Sequence, residues 1–210
     1  MQNLPGINAE RGAANERGQR SGRRLIGAFG RHGDPEGSAE VENMVERLAI
    51  QSFCFRGFRE HEQVARAVSE CGAHNLELCP MHYDAIAGGD AAPVLAFYRQ
   101  KGIGIPAVGV YSFGEDEASA RKVFEFACEA NVQTIGVDLG PGGLRTAERL
   151  CEEYDKKVAI HNHGRKHRLG SLFALRDLFA NSSPRVGLCL DTAWMLDSGE
   201  DPIAVAEEFQ

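Results

Sequence analysis

The chain has 210 residues, 43% hydrophobic and 25% charged, the balance of one globular domain with enough apolar material for a sizeable core. Its formal net charge of -7 argues against nucleic acid or an anionic membrane surface as a partner, and no apolar run approaches the ~20 residues that cross a bilayer. Six cysteines (Cys54, Cys71, Cys79, Cys128, Cys151 and Cys189) form no C-x-x-C pair and sit mostly in apolar segments, so reduced, structural thiols of a cytoplasmic protein are expected.

Residues 1–46 mix Gly, Arg, Glu, Asn and Ser with few large apolar side chains. Such a segment buries too little to offset its ordering entropy and is expected to be a disordered extension, with a short helix near Ala39–Arg47. Arg23-Arg24 is followed only by the short apolar run Leu25–Phe29, less than the ~7–15 residues of an export signal. From residue 47 the pattern becomes periodic. Leu48–Phe53 reads as a strand, and Glu60–Cys71 as a helix. Asn75–Cys79, Ile103–Val110, Gln133–Leu139, Lys157–Asn162 and Arg185–Asp191 read as five more strands. Helices are expected over 90–101, 116–130, 143–154 and 171–180, with a last one opening at Pro202. Gly72, Gly102 and Asn131 stand where helix C-caps prefer them, and Asp201-Pro202 suits a helix start. Strict βα alternation with short connections implies a parallel sheet clothed by helices. The expected fold is α/β: a (β/α) TIM-type barrel over residues 47–210, incomplete, with about six βα units where a closed barrel takes eight and ~250 residues.

Side chains of a strand alternate between its faces. Ile135, Val137 and Leu139 share one face of the fourth strand, opposite Gly136 and Asp138. Val158 and Ile160 oppose Ala159, His161 and, just beyond, His163. Leu188 and Leu190 oppose Cys189 and Asp191, and Leu76 and Leu78 oppose Glu77. The large apolar faces should meet the helices and the others should face the barrel interior. Glu77, Asp138, His161, His163 and Asp191 then gather at the carboxyl ends of the strands, where barrel enzymes place their sites. A carboxylate buried there needs a partner, a proton or a metal. Imidazoles and carboxylates without thiolate suit a divalent cation such as Mn²⁺, Mg²⁺, Co²⁺ or Zn²⁺.

The stretches Val158-Ala159-Ile160-His161-Asn162-His163-Gly164, Gly170-Ser171 and Pro184–Thr192 resemble the sugar phosphate isomerase/epimerase family, with its xylose isomerase-like TIM barrel. Ser198–Pro202 and Leu48–Phe53 extend the likeness. The resemblance implies a divalent metal held by side chains of strands four, six, seven and eight. Asp191 matches the sixth-strand ligand. Asp138 falls at the fourth-strand ligand, usually a glutamate that also acts as acid/base. His161 and His163 match histidines that line the substrate pocket. Trp194 stands where many members carry a histidine. The seventh- and eighth-strand ligands would lie beyond Gln210.

The function implied is metal-dependent isomerisation or epimerisation of a sugar, sugar phosphate or polyol, by proton transfer next to a carbonyl. Asp138 is the candidate base and ligand, Asp191 a ligand, and His161, His163, Glu77, His82 and Trp194 substrate contacts. Self-association into a homo-oligomer is compatible with these features. Structural readings stand beside the functional ones: Asp191 as a helix cap, the histidines as satisfied buried groups, Asp138 as a turn residue, and Glu77 and His82 as framework. Gly140-Pro141-Gly142-Gly143 is expected as a turn before a helix, and Arg165–Arg168 as a basic loop that either meets a substrate anion or is solvated. Two other functions compete. One is an endonuclease IV-like phosphoesterase, which needs ligands for three zinc ions and a basic face. The other is an inactive, truncated barrel fragment.

Overall fold

The computed structural model describes residues 48–209. The extension expected over 1–46 and its short helix near 39–47 lie outside the described residues. Six strands run β1 Ile50–Gln51, β2 Leu76–Glu77, β3 Ala107–Phe113, β4 Thr134–Leu139, β5 Lys157–His161 and β6 Val186–Cys189. The helices are α1 His61–Glu70, α2 Ala92–Gln100, α3 Glu117–Glu129, α4 Gly143–Tyr154, α5 Leu172–Ala180, α6 Thr192–Asp197 and α7 Pro202–Glu208. β1 pairs with β2, and β3 to β6 pair in chain order, all in parallel. Single bridges at Asn75–Gly104 and Leu78–Val108 carry the pattern from β2 to β3. This is the winding of a partial TIM-type barrel, each strand followed by a helix on its outer side.

The expected alternation holds where it positions the site. Ile135, Val137, Leu139, Val158 and Ile160 are buried and face the helix layer, where Phe124, Leu150 and Leu175 are buried too. Phe113 of β3 stacks on Phe124 of α3 with ring centroids 5.9 Å apart. The helix ends follow their residues: Gly72, Gly102 and Asn131 all adopt positive φ, the left-handed turn that closes a helix. Asp116, Ser171 and Asp201 cap α3, α5 and α7 through their side-chain oxygens.

Several elements differ from expectation, each for a local reason. The first strand shrinks to two residues because Ser52–Phe55 turns into a 3₁₀ helix, and Ser52 Oγ accepts the Cys79 N–H at 2.9 Å. The third strand starts at Ala107 rather than Ile103, since Pro106 has no N–H for the ladder; Tyr111 and Phe113 carry it beyond Val110. Between Val108 and Tyr111 the register gains one residue against β4. A Cβ on Gly109 of this bulge would lie 2.5 Å from Gly136 O, so glycine lets the two strands approach. Helix α6 is absent from the expected helices, although Asp191, which caps it, was open to reading as a helix cap. The cysteines are also less buried than their apolar surroundings suggest: Cys79 and Cys151 are buried and Cys189 half-buried, while Cys54, Cys71 and Cys128 are exposed. Helical periodicity turns Cys71 and Cys128 outward while Val68 and Ala127 face the core. All six thiols are free.

Candidate active site

Asp138 is the penultimate residue of β4, His161 ends β5, and Asp191 lies two residues past β6. All three lie at the carboxyl edge, and the alternation of each strand sets them opposite the buried apolar row. Glu77 of β2 joins the same interior. Its Oε1 lies 3.2 Å from the place a Cβ on Gly136 would take, so the absent side chain at 136 leaves the carboxylate its room. Burial raises the Glu77 pKa, and a hydrogen bond from Gln51 partly opposes this. Burial also raises that of the Cys189 thiol, helped by the negative charges of Glu77 and Asp191.

Two imidazole–carboxylate pairs stand side by side. His163 Nε2 is 3.2 Å from Asp138 Oδ1, and His161 Nε2 is 3.6 Å from Asp191 Oδ2. The His161 and His163 rings have centroids 4.9 Å apart. A third ring, His167, lies 4.1 Å from His163. Burial lowers the pKa of His161, and the neighbouring His163 lowers it further against the pull of Asp191 and Asp138. Burial and His163 lower that of His167 likewise. Both rings are thus biased toward the neutral form, which carries a lone pair on one nitrogen.

The backbone frame is tied by Asn162, which is fully buried. Its Nδ2 donates to Asp191 O at 3.0 Å, and its Oδ1 accepts the Asp191 N–H at 2.6 Å. This amide clip continues the β5–β6 pairing beyond the last ladder pair, His161 with Cys189. Asp191 divides its carboxylate: Oδ1 accepts the Trp194 N–H at 2.9 Å and caps α6, while Oδ2 faces His161. The expected cap is therefore present, and it leaves one oxygen over.

Among the described residues, three buried side-chain atoms have no hydrogen-bond partner: Asp138 Oδ1, His163 Nε2 and His161 Nδ1. The first two lie within hydrogen-bond distance of each other without the alignment of a hydrogen bond. Buried polar atoms are normally paired, and such an arrangement suits two donors aimed at a common third atom. Asp138, His163 and His167 each offer one ligand atom, all within 4.8 Å of one another. One carboxylate and two imidazoles are a donor set that binds divalent cations, so the residues present fit the metal that the sequence resemblance implies. Among the described residues this is the one group of its kind, fewer ligands than a three-zinc phosphoesterase needs.

The other expected contacts divide. Trp194 is 44% exposed and lines a cavity of about 640 Å³ with His163, Gly164, Arg165, Lys166, His167 and Asp197, so it shares a wall with the imidazole group. His82 turns elsewhere: its Nε2 lies 3.2 Å from Phe58 O and its Nδ1 3.9 Å from Cys79 Sγ. The basic loop exposes Arg165, Lys166 and Arg168 to solvent and is tied to the frame at two points. The Arg165 amide donates to Asp197 Oδ2 at 3.1 Å, and Arg168 donates to the Leu139 carbonyl. Gly140–Gly143 is the expected turn into α4. His167 is the residue that the strand pattern missed. Its only sequence signal is the H-x-x-x-H spacing from His163 inside a glycine-bracketed loop. A Cβ on Gly164 would lie 2.8 Å from Trp194 Cε3, and one on Gly170 would collide with Gly164 O; this tight curl folds residue 167 back over residue 163.

The fold recurs in solved structures. An uncharacterised protein of Parabacteroides distasonis superposes with a TM-score of 0.59 at 25% identity, over 74% of this chain and 67% of its own. A protein described as a probable 3-DHS dehydratase, AsbF, of petrobactin synthesis in Bacillus anthracis gives 0.62 at 15% identity, over 77% of this chain and 68% of its own. A sugar phosphate isomerase/epimerase of Parabacteroides distasonis gives 0.53 at 12%, over 71% and 69%. The chain thus spans about two thirds of the length of each. No protein-family model matches the sequence, and no curated protein matches it significantly. The resemblance read from the sequence holds at the level of the fold: this is a partial TIM-type barrel of the kind found in sugar phosphate isomerases/epimerases. No helix among the described residues is long and apolar enough to cross a membrane.

Proposed function

We propose that this chain carries the site of a divalent-metal-assisted isomerase or epimerase that moves a proton beside the carbonyl of a sugar, sugar phosphate or polyol. The observation that supports it best is the meeting, at the carboxyl ends of β4 to β6, of a metal-type donor group with a separate imidazole–carboxylate pair. When bound, a divalent cation polarises a carbonyl oxygen and acidifies the neighbouring C–H. The chain's own residues do the rest. His161, biased toward its neutral form by burial, is able to take a proton, and Asp191 Oδ2 beside it orients the ring and stabilises its protonated state. Glu77, its carboxyl held toward protonation by burial, faces the same interior and is suited to donate a hydrogen bond to a substrate oxygen. Trp194 offers an aromatic face to the apolar side of a sugar ring, and Lys166 at the cavity rim offers a cation to a phosphate or carboxylate.

The test is solvent exchange. The protein is incubated in D₂O with Mn²⁺, Co²⁺, Zn²⁺ or Mg²⁺ and a panel of aldoses, ketoses and their phosphates, and proton NMR follows the C–H beside each carbonyl. The expected result is deuterium uptake at that carbon in at least one sugar, slowed at least ~100-fold by His161→Asn. Absence of uptake from every sugar by protein that binds metal would overturn the reading.

A further inference from the structure

The carboxyl-end residues fall into two groups whose geometry assigns them different work. We infer that Asp138, His163 and the loop residue His167 form an imidazole-rich site for a transition-metal cation such as Zn²⁺ or Co²⁺, and that Asp191 stands outside the metal shell. The inference deepens the metal-assisted reading above and rests on it for its catalytic meaning.

Proximity is the first ground. Ligand atoms of Asp138, His163 and His167 lie within 4.8 Å of one another, and Asp191 does not belong to the group. The second ground is unmet bonding. Asp138 Oδ1 and His163 Nε2 are buried without hydrogen-bond partners, whereas Asp191 spends one oxygen on the Trp194 amide at 2.9 Å and holds the other 3.6 Å from His161 Nε2. The third ground is the route of the loop. Gly164 and Gly170 permit the curl that carries His167 back, and the Leu169 N–H reaches His167 Nδ1 at 3.2 Å. That contact ties the ring to its own loop. Two imidazoles with one carboxylate favour zinc- or cobalt-type ions over Mg²⁺, which prefers oxygen ligands. The sequence resemblance implies instead a shell of strand-end carboxylates with Asp191 among them. In this chain a β5–α5 loop imidazole takes the place, and Asp191 is left to serve His161.

Equilibrium dialysis of the full chain against Co²⁺, read by metal analysis and visible absorption, tests the assignment. The expected result is one Co²⁺ per chain, undiminished by millimolar Mg²⁺. His167→Ala should weaken binding at least tenfold and alter the cobalt spectrum. Asp191→Asn, which keeps an N-cap for α6, should stay within threefold of the parent. His163→Ala, with circular dichroism to verify folding, should weaken binding as His167→Ala does. The assignment is overturned if the parent binds no Co²⁺, if Mg²⁺ displaces it, or if Asp191→Asn loses the ion while His167→Ala keeps it. Binding with the expected pattern, but without deuterium exchange into any sugar, would uphold this site and remove the isomerase reading.

Discussion

Glu77 shows how much one residue can cost the fold for the sake of an interior polar site. Its carboxyl is held above the ordinary value of 4.5 by burial, with only the Gln51 hydrogen bond opposing. A raised carboxyl pKa means that the folded state keeps its proton to higher pH than the unfolded state does. The folded protein is therefore favoured by this group at low pH, and a destabilising contribution grows as pH rises past the unfolded value and persists above the folded one. Glu77→Gln removes that contribution. Its thermal midpoint should exceed the parent's at pH 8, with the difference vanishing near pH 4; a pH series of thermal melts checks this. At this scale the placement of most candidate residues was legible from the sequence. Asp138, His161, His163, Asp191 and Glu77 sit on strands or just past them, where a period of two fixes the face. The approach of His167 to His163 was not legible, because no periodicity dictates how a loop curls. His82 points elsewhere, as its framework reading allowed, since the turn after Cys79 aims its ring at the Phe58 carbonyl.

The elements draw their stability from packing rather than from their charges. α3 and α4 are laced together by Arg121, which meets Glu117 and Glu153, and by Arg149, which meets Glu117. These side chains are a third or more exposed, apart from Arg121 at 31%, and ion pairs so hydrated contribute little. Leu150 on the same helix is fully buried. Urea unfolding should show Arg121→Ala costing under about 1 kcal/mol and Leu150→Ala costing about 2–5 kcal/mol. Helix and strand positions in the chain were readable because amphipathic periods and caps agreed. α4 falls on its expected residues 143–154. α6 was missed because its six residues are too few for a period to emerge, although Asp191 was open to reading as a helix cap. The bulge at Gly109 was missed because its cause is the close approach of Gly136 on another strand.

Across the whole molecule, six parallel strands in chain order bring residues more than a hundred positions apart, Glu77 and Asp191, to one rim. That much follows from βα alternation, which the sequence displays. The grouping within the rim, Asp138, His163 and His167 on one side and the His161–Asp191 pair on the other, depends on ångström-scale placement that no pattern encodes. The grouping is the central claim, and imidazole nitrogens report it most directly. In ¹⁵N–¹H NMR spectra of the full chain titrated with Zn²⁺, the resonances of His163 and His167 should move together and saturate at one equivalent, with those of His61, His74 and His82 unchanged. A first equivalent that shifts His82 or His61 and leaves His163 and His167 in place would contradict it.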